Sequence, residues 1–158
     1  MKYIFKIFLF AAISSLAFAC NDDDDNNAGE QQIDITTANI SGIWQLKEWN
    51  GEAMKEGLHM YIDFDRTDET FTMYDNIGSM YTVKSTGMYW IEGDDFYGYT
   101  LNGMYDYSHE EWQDYTITSM TKTHLELTIE DSIPDVSVYV RCDTIPQEII
   151  AGFEEDEE

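Results

Sequence analysis

The side chains best suited to chemistry in this sequence are three histidines, two cysteines and an excess of carboxylates. His59, His109 and His124 occur at no spacing that holds zinc, because zinc-binding side chains recur at short, fixed intervals. The sequence contains neither a Gly-x-Ser-x-Gly nucleophile motif nor a glycine-rich loop for a phosphate. The chain has so many carboxylates that the sequence does not identify any two of them as a catalytic general acid and general base. We therefore predict a non-catalytic protein with no cofactor and no metal site.

Residues 1–19 have the organisation of a bacterial export signal. Lys2 and Lys6 precede an apolar stretch that continues to Phe18. That stretch is shorter than the roughly 20 residues that a membrane-spanning helix needs. We therefore expect residues 1–19 to be removed during export and to take no part in the fold.

Cys20 stands directly after this segment and is the predicted point of attachment to a membrane. The stretch Leu16–Cys20 resembles a lipobox, which implies acylation of the Cys20 thiol. Ala17–Ala19 also fits an ordinary A-x-A cleavage site, so a periplasmic or secreted protein without a lipid is the alternative. An acylated Cys20 leaves Cys142 without a disulfide partner, and the register of Cys142 with nearby valines predicts a buried, unreactive thiol.

Strongly acidic segments flank the central part of the chain. Asn21–Asn27 cannot bury apolar surface, so we predict a disordered tether over residues 20–40. An acidic run directly after a lipidated cysteine resembles the surface-export signal of bacteroidete-type lipoproteins. This resemblance implies the outer face of the bacterial outer membrane. Residues 147–158 are predicted to form an acidic C-terminal tail.

The negative charge limits the partners of the chain. Eight basic residues stand against 32 acidic ones, which gives a formal net charge of −24 at pH 7. Such a chain repels the phosphate backbone of nucleic acids and other anionic surfaces. We predict a monomer that contacts the membrane through the lipid on Cys20 and binds a small apolar ligand or a glycan.

Residues 41–146 have the pattern of one small all-β domain. Short runs of alternating apolar and polar residues are separated by turn signals such as Asn50-Gly51. Hairpin connections favour a small antiparallel eight-stranded up-and-down barrel, because closure removes both exposed sheet edges. A two-sheet β-sandwich is the alternative. The predicted strands begin near Trp44, His59, Thr70, Val83, Phe96, Trp112, Leu125 and Val136.

The first predicted strand opens with Gly42-Ile43-Trp44, which is the G-x-W signature of lipocalin and calycin barrels. Further matching segments are Thr70–Tyr74 and Leu101–Tyr105. Together they resemble the lipocalin-like domain common among bacteroidete-type lipoproteins. The resemblance implies that Arg141, on the last strand, stacks over the Trp44 indole and that the two form a plug at one end of the barrel.

The apolar faces of the predicted strands point into the barrel. An eight-stranded barrel is just wide enough to be filled by its own side chains or to hold one small ligand. A packed interior and an apolar pocket therefore remain open as alternatives. The predicted pocket lining comprises Leu46, Met60, Ile62, Phe64, Phe71, Met73, Leu127 and Val138.

Aromatic residues are frequent in the second half of the domain. Flat rings with a polar edge suit stacking against sugars or a partner protein, whereas cross-strand pairing is the alternative role. The predicted exposed set comprises Tyr97, Tyr99, Tyr107 and Trp112. Two functions follow. The protein captures a small apolar or amphipathic ligand, or it is a packed barrel that acts as an interaction or glycan-binding accessory protein.

Overall fold

Nine antiparallel strands form a single sheet in the computed structural model, which describes residues 30–130 and 133–153. Two short helices, α1 (Thr37–Ile40) and α2 (Gln147–Ile150), lie before and after the sheet. The strands are β1 (Gly42–Trp49), β2 (Glu52–Ala53), β3 (Met60–Asp65), β4 (Thr70–Asp75), β5 (Val83–Asp94), β6 (Gly98–Tyr105), β7 (Tyr115–Met120), β8 (His124–Ile129) and β9 (Asp135–Cys142).

Pairing of β1 with β9 closes the sheet into a barrel. The two-residue strand β2 pairs with the end of β1, so eight strands surround the interior. The other strands pair with their neighbours in chain order, and all pairs are antiparallel. The predicted eight-stranded up-and-down barrel is confirmed, and the two-sheet sandwich is wrong.

The turn between β1 and β2 follows the sequence signal closely. Asn50 and Gly51 both have positive φ, at 55° and 76°, as a two-residue type I′ hairpin requires. Asparagine and glycine are the residues that adopt this backbone most readily. The Asn50 side chain also accepts a hydrogen bond from the Val136 N–H at 2.8 Å, which fastens the hairpin to β9.

The two ends of the barrel have different connections. Short turns at residues 66–69, 95–97 and 121–123 lie at one end, which we call the plugged end. The longer connections 50–59, 76–82 and 106–114 lie at the other, which we call the open end.

The segment before β1 covers the plugged end. The Ile33 N–H donates to the Met120 carbonyl at 3.0 Å, and the Gln32 side-chain oxygen accepts from the Met120 N–H at 3.0 Å. Ile40 is fully buried. Residues 30–40 are therefore part of the folded domain, which corrects their assignment to the tether. Ile33, Ile35 and Ile40 pack on the core and bury apolar surface that the acidic run before them lacks.

The segment after β9 is partly folded as well. Residues 147–153 form α2 and one turn of 3-10 helix, and the Phe153 ring packs edge-on against Tyr74 at 5.6 Å between centroids. The acidic tail predicted from residue 147 is corrected accordingly, since its first residues include apolar ones that pack on the barrel wall. No helix among residues 30–130 and 133–153 has the length and apolar character needed to cross a membrane.

The inward face of β9 carries Ser137 and Tyr139, which are buried, while Val138 lies on the outer wall. The prediction that Val138 lines the interior is wrong. Successive side chains of a strand point to opposite faces, and Arg141 contacts the interior residue Trp44. Val138 is three positions from Arg141 and must therefore point outward.

Candidate functional site

The plugged end is organised around Trp44 and Arg141, which the structure brings together. The Arg141 guanidinium carbon lies 4.1 Å from the centroid of the Trp44 ring. The indole is fully buried, and its N–H donates to the Ile40 carbonyl at 2.6 Å. A cation over an indole face in this geometry contributes about 0.5 to 2 kcal/mol.

The Arg141 side chain also ties three chain segments together. Its guanidinium donates to the carbonyls of Ser41 at 2.5 Å, Asn39 at 2.5 Å and Lys122 at 2.8 Å. Burial lowers the pKa of Arg141, but an arginine starts so high that it remains a cation at neutral pH. The pair seals this end of the barrel, and each of the four side-chain nitrogens of the two residues donates to a backbone carbonyl.

Gly42 is required for this arrangement. Its φ is 107°, and a Cβ at this position would lie 3.0 Å from the Arg141 Nη1 atom. The glycine of the G-x-W motif therefore leaves room for the guanidinium that stacks on the tryptophan two positions later.

Towards the open end, the interior contains an inner hollow of about 70 Å³. Burial raises the pKa of Tyr139, whose hydroxyl donates to the Met60 sulfur at 3.5 Å, and it raises the pKa of Tyr115. Both phenols therefore stay neutral. The hollow is lined by Met60, Ile62, Met73, Tyr105, Trp112, Tyr115, Leu127 and Tyr139.

Two further hollows continue from this one towards the rim. The middle hollow, about 170 Å³, shares Met60, Tyr115 and Tyr139 with the inner hollow. The outer hollow, about 580 Å³, shares Trp49 and Ile77 with the middle one. We call the three together the mouth cleft. The remaining lining is Leu46, Ile129, Asp135 and Ser137 in the middle hollow and Asn50, Glu52, Ala53, Met54, Lys55 and Leu58 in the outer one.

Four of the predicted lining residues, Met60, Ile62, Met73 and Leu127, surround the inner hollow, and Leu46 lines the middle one. Phe64 and Phe71 lie deeper and are 1% exposed, so they fill the barrel. Trp49 was not predicted. The register shift between Leu46 and Glu48 is a bulge in the β1–β9 pairing, and it turns Trp49 to the face that Leu46 occupies.

Trp112 lies inside the open end, which corrects its prediction as an exposed residue. Its ring contacts Phe71 and Tyr105 at centroid distances of 4.5 and 6.2 Å. Gly103 leaves the space for it, because a Cβ there would lie 2.6 Å from the indole. The indole N–H is buried and has no partner with full hydrogen-bond geometry among the described residues. It does lie near the Tyr105 hydroxyl. Burial raises the pKa of Tyr105, and the nearby indole N–H offsets part of that increase.

The other predicted exposed aromatics occupy different places. Tyr97 and Tyr107 are 85% and 100% exposed, at the plugged and open ends respectively. Tyr99 is half-buried, and its hydroxyl donates to Asp95 at 2.9 Å, which raises the pKa of Tyr99. The four side chains therefore do not form one surface.

Cys142 lies on the outer wall and is half-buried, rather than buried in the core as predicted. Its position follows from the same alternation that places Val138 outside. Burial is the main cause that raises the pKa of the thiol, so it stays protonated at neutral pH. Within the described part of the chain, no group of three or more histidine, cysteine or acidic side chains is arranged to hold a metal ion.

The predicted attachment residue Cys20 and the export signal lie outside the described residues. Glu30, the first described residue, lies at the plugged end. Its carboxylate accepts hydrogen bonds from the hydroxyls of Thr121 and Thr123, the latter at 2.6 Å, and lies 3.3 Å from the His124 Nδ1 atom. These hydrogen bonds lower the pKa of Glu30 to about 2.

Comparison with known proteins identifies the class. A family model described as a lipocalin-like domain matches residues 40–127, and the chain therefore belongs to the lipocalin-like domain family. The resemblance predicted from the G-x-W strand is confirmed. No curated protein matches the chain.

Two solved structures from Bacteroides uniformis are similar. An NMR structure of a protein from this organism is 17% identical, with a TM-score of 0.51, covering 70% of this chain and 94% of that chain. A crystal structure of a lipocalin-like protein is 13% identical, with a TM-score of 0.47, covering 66% of this chain and 99% of that chain. At this identity, the first of them shows a shared fold.

Proposed function

We propose that this lipocalin-like protein binds a small, neutral, apolar or amphipathic ligand in the mouth cleft. The observation that carries the proposal is the series of three hollows from the filled core to the rim. Small-molecule pockets usually measure about 300 to 1,000 Å³. The inner hollow of about 70 Å³ therefore admits only the tip of a ligand, and most of the ligand lies in the middle and outer hollows.

The lining of the cleft changes along its length. The inner hollow is bounded by methionine, aliphatic and aromatic side chains, whereas Asn50, Glu52 and Lys55 border the outer hollow. A ligand with an apolar end and a polar head group matches this gradient. The net charge of −24 favours an uncharged head group over an anionic one, since like charges repel.

Binding fits the cleft better than catalysis does. Among the described residues that line the middle hollow, Asp135 is the one carboxylate, and it accepts a hydrogen bond from the Trp49 indole. The phenols of Tyr115 and Tyr139 are neutral because burial raises the pKa of each. No second carboxylate accompanies Asp135 in the described lining of the middle hollow, and the fold itself does not define a reaction.

We further propose that a lipid on Cys20 holds the protein on the outer face of the outer membrane, with the mouth cleft directed away from the membrane. The position of Glu30 supports this orientation. The chain joins the barrel at the plugged end, where Thr121 and Thr123 hold the carboxylate, and the cleft lies at the opposite end.

The ligand proposal is tested by closing the cleft from within. Ser137 is 8% exposed and lines the middle hollow, so Ser137→Phe places a ring in the ligand's path. Val138→Phe adds the same ring one residue away on the outer wall and serves as the matched control. We expect retinol or monolaurin, both neutral amphiphiles, to bind and to raise the melting temperature, since a ligand that binds only the folded state stabilises it.

Ser137→Phe should weaken that binding at least about tenfold, which corresponds to about 1.4 kcal/mol, while Val138→Phe leaves it unchanged. Thermal unfolding of both variants without ligand shows whether each is folded. The proposal is overturned if neither amphiphile binds the unsubstituted protein, or if the two folded variants bind equally well.

The anchor is tested separately by Cys20→Ser, followed by cell fractionation and digestion of intact cells with an added protease. We expect the unsubstituted protein in the outer-membrane fraction and accessible to the protease, and the variant in a soluble fraction. Membrane association that survives the substitution would contradict the lipid anchor, and protection of the unsubstituted protein from protease would contradict the outer face.

A further inference from the structure

A second concavity, which we call the outer groove, lies at the open end, between the start of β5 and the loop that follows β6. It has a volume of about 720 Å³ and is bounded by the start of β5, the end of β6 and the loop that follows β6. The groove is separate from the mouth cleft except that Tyr105 contributes to both linings. Its lining comprises Val83, Lys84, Ser85, Thr86, Tyr105, Asp106, Tyr107, Ser108 and Glu110.

The loop wall of the groove is held in place by hydrogen bonds. The Asp106 N–H donates to the Thr86 carbonyl at 3.0 Å, and the Thr86 hydroxyl donates to the Asp106 carboxylate at 2.8 Å. The Tyr105 N–H donates to the Glu110 carbonyl at 3.0 Å, and the His109 N–H donates to the Tyr105 carbonyl at 2.9 Å. Because the loop is already ordered, a ligand that binds to its side chains causes only a small loss of backbone conformational entropy.

The groove combines the groups that recognise sugars. Asp106 and Glu110 offer carboxylate oxygens that accept hydrogen bonds from sugar hydroxyls, and Ser85 and Ser108 supply hydroxyls that donate and accept. Tyr107 lies at the edge of the groove with a fully exposed ring, a flat surface with a polar edge that suits stacking against the C–H face of a pyranose.

The chemistry of the lining distinguishes a sugar from other ligands. An aliphatic chain would leave the carboxylates and hydroxyls of the groove without hydrogen-bond partners, which is costly on burial. Asp106 and Glu110 outnumber Lys84, the cation in the lining, so a phosphate or another anion would meet a net negative charge. A neutral saccharide satisfies the polar groups and covers the exposed tyrosine ring.

We propose that the outer groove is a binding site for a neutral oligosaccharide, with Tyr107 as the stacking platform and Asp106 and Glu110 as hydrogen-bond acceptors for its hydroxyls. The volume of the groove lies within the usual range for small-ligand sites, as a short oligosaccharide requires. The proposal rests on Asp106, Tyr107 and Glu110, none of which lines the mouth cleft, so either proposal stands if the other fails.

The test uses the full chain in a detergent without a sugar head group and a panel of maltotriose, cellotriose, mannotriose, xylotriose and triacetylchitotriose. Calorimetry or NMR titration should detect at least one trisaccharide with a millimolar or lower Kd. Tyr107→Ala should weaken that binding at least about tenfold, an effect expected of an interface residue that dominates binding. Tyr107→Phe keeps the ring and should change the Kd less than about threefold.

Tyr97→Ala is the matched control, because Tyr97 is also a highly exposed tyrosine on a hairpin turn but lies at the plugged end. It should bind as the unsubstituted protein does, and saturating retinol should not displace the sugar. The proposal is overturned if none of the five trisaccharides binds up to about 10 mM, if Tyr107→Ala binds unchanged, or if Tyr97→Ala weakens binding equally. Because Tyr107 is fully exposed, none of these outcomes depends on a change in folding.

Discussion

The plugged and open ends of the barrel differ in how they satisfy their buried tryptophan indoles. At the plugged end, the Trp44 indole and the three nitrogens of the Arg141 guanidinium all donate to carbonyls. At the open end, the equally buried indole N–H of Trp112 lacks a partner with full hydrogen-bond geometry among the described residues. A buried polar group without a partner costs about 1 to 3 kcal/mol, so the Trp112 indole gives up stability that the Trp44 indole retains. The Tyr89 hydroxyl, near the turn at residues 66–69, is a second buried group without a partner among the described residues, so the contrast holds for the two indoles alone.

The side chains are also packed more tightly at the plugged end than at the open end. Trp44, Ile40 and Met120 are fully buried around the plug. The mouth cleft lies at the open end. Exposed apolar side chains do not separate the ends, because the plugged-end turn exposes Phe96 and Tyr97. Empty space inside a fold reduces stability and suits a binding region. The comparison indicates that one end of the barrel stabilises the fold and the other is available for ligands.

Two tryptophans on β1 test this comparison with the largest expected effect. Trp44→Ala removes a fully buried ring and the partner of Arg141, and should lower the free energy of unfolding by about 3 to 5 kcal/mol. Trp49→Ala, at the open end of the same strand, removes a ring that is 41% exposed and should lower it by at most about 1.5 kcal/mol. Urea unfolding measures both values. Equal losses would contradict the assignment of stability to the plugged end.

Trp112 allows a second, smaller test. Gly103→Ala adds a Cβ that would meet the indole at 2.6 Å, and displacing that ring should cost about 1 to 3 kcal/mol. Gly78→Ala is the control, because no atom lies within 4 Å of its added Cβ and Gly78 does not require positive φ. Differential scanning calorimetry compares the two. A melting temperature for Gly103→Ala that matches that of Gly78→Ala would show that the open end repacks freely.

Most of the fold could be predicted from the sequence because alternation and turn chemistry are local. Asn50-Gly51 predicts its hairpin through the backbone that these two residues prefer, and the eight long strands follow from their alternating runs. Alternation alone did not predict which side chains of β9 point into the barrel. Valines at 136, 138 and 140 suggested the inward face, yet β-branched residues also suit the outer wall, and only the contact between Arg141 and Trp44 sets the register.

The mouth cleft was harder to predict because it depends on irregularities of the strands. A bulge after Leu46 turns Trp49 into the cleft. The alternation of apolar and polar residues does not predict where a bulge occurs. Trp112 precedes β7 and looks exposed until Gly103, on the neighbouring strand, is seen to leave space for it. The useful signal was the glycine: a strand glycine often marks the close approach of another group.

The smallest expected effect concerns the junction of the N-terminal segment with the plugged end. The hydrogen bonds from Thr121 and Thr123 lower the pKa of Glu30 from 4.5 to about 2. Between these values the unfolded chain binds more protons than the folded one, so folding weakens as the pH falls. The contribution of Glu30 is fully present above pH 4.5 and is lost as the pH approaches 2.

Glu30→Gln removes the charge, so the variant should melt slightly below the unsubstituted protein at pH 7, and the difference should disappear towards pH 2. Melting temperatures measured for both proteins from pH 7 to pH 2 give this difference directly. Thr121→Val combined with Thr123→Val removes the two hydroxyl donors and leaves His124, so it should reduce the pH dependence of the Glu30→Gln effect. A difference that persists unchanged at pH 2 would mean that the Glu30 carboxylate does not fasten the segment to the barrel.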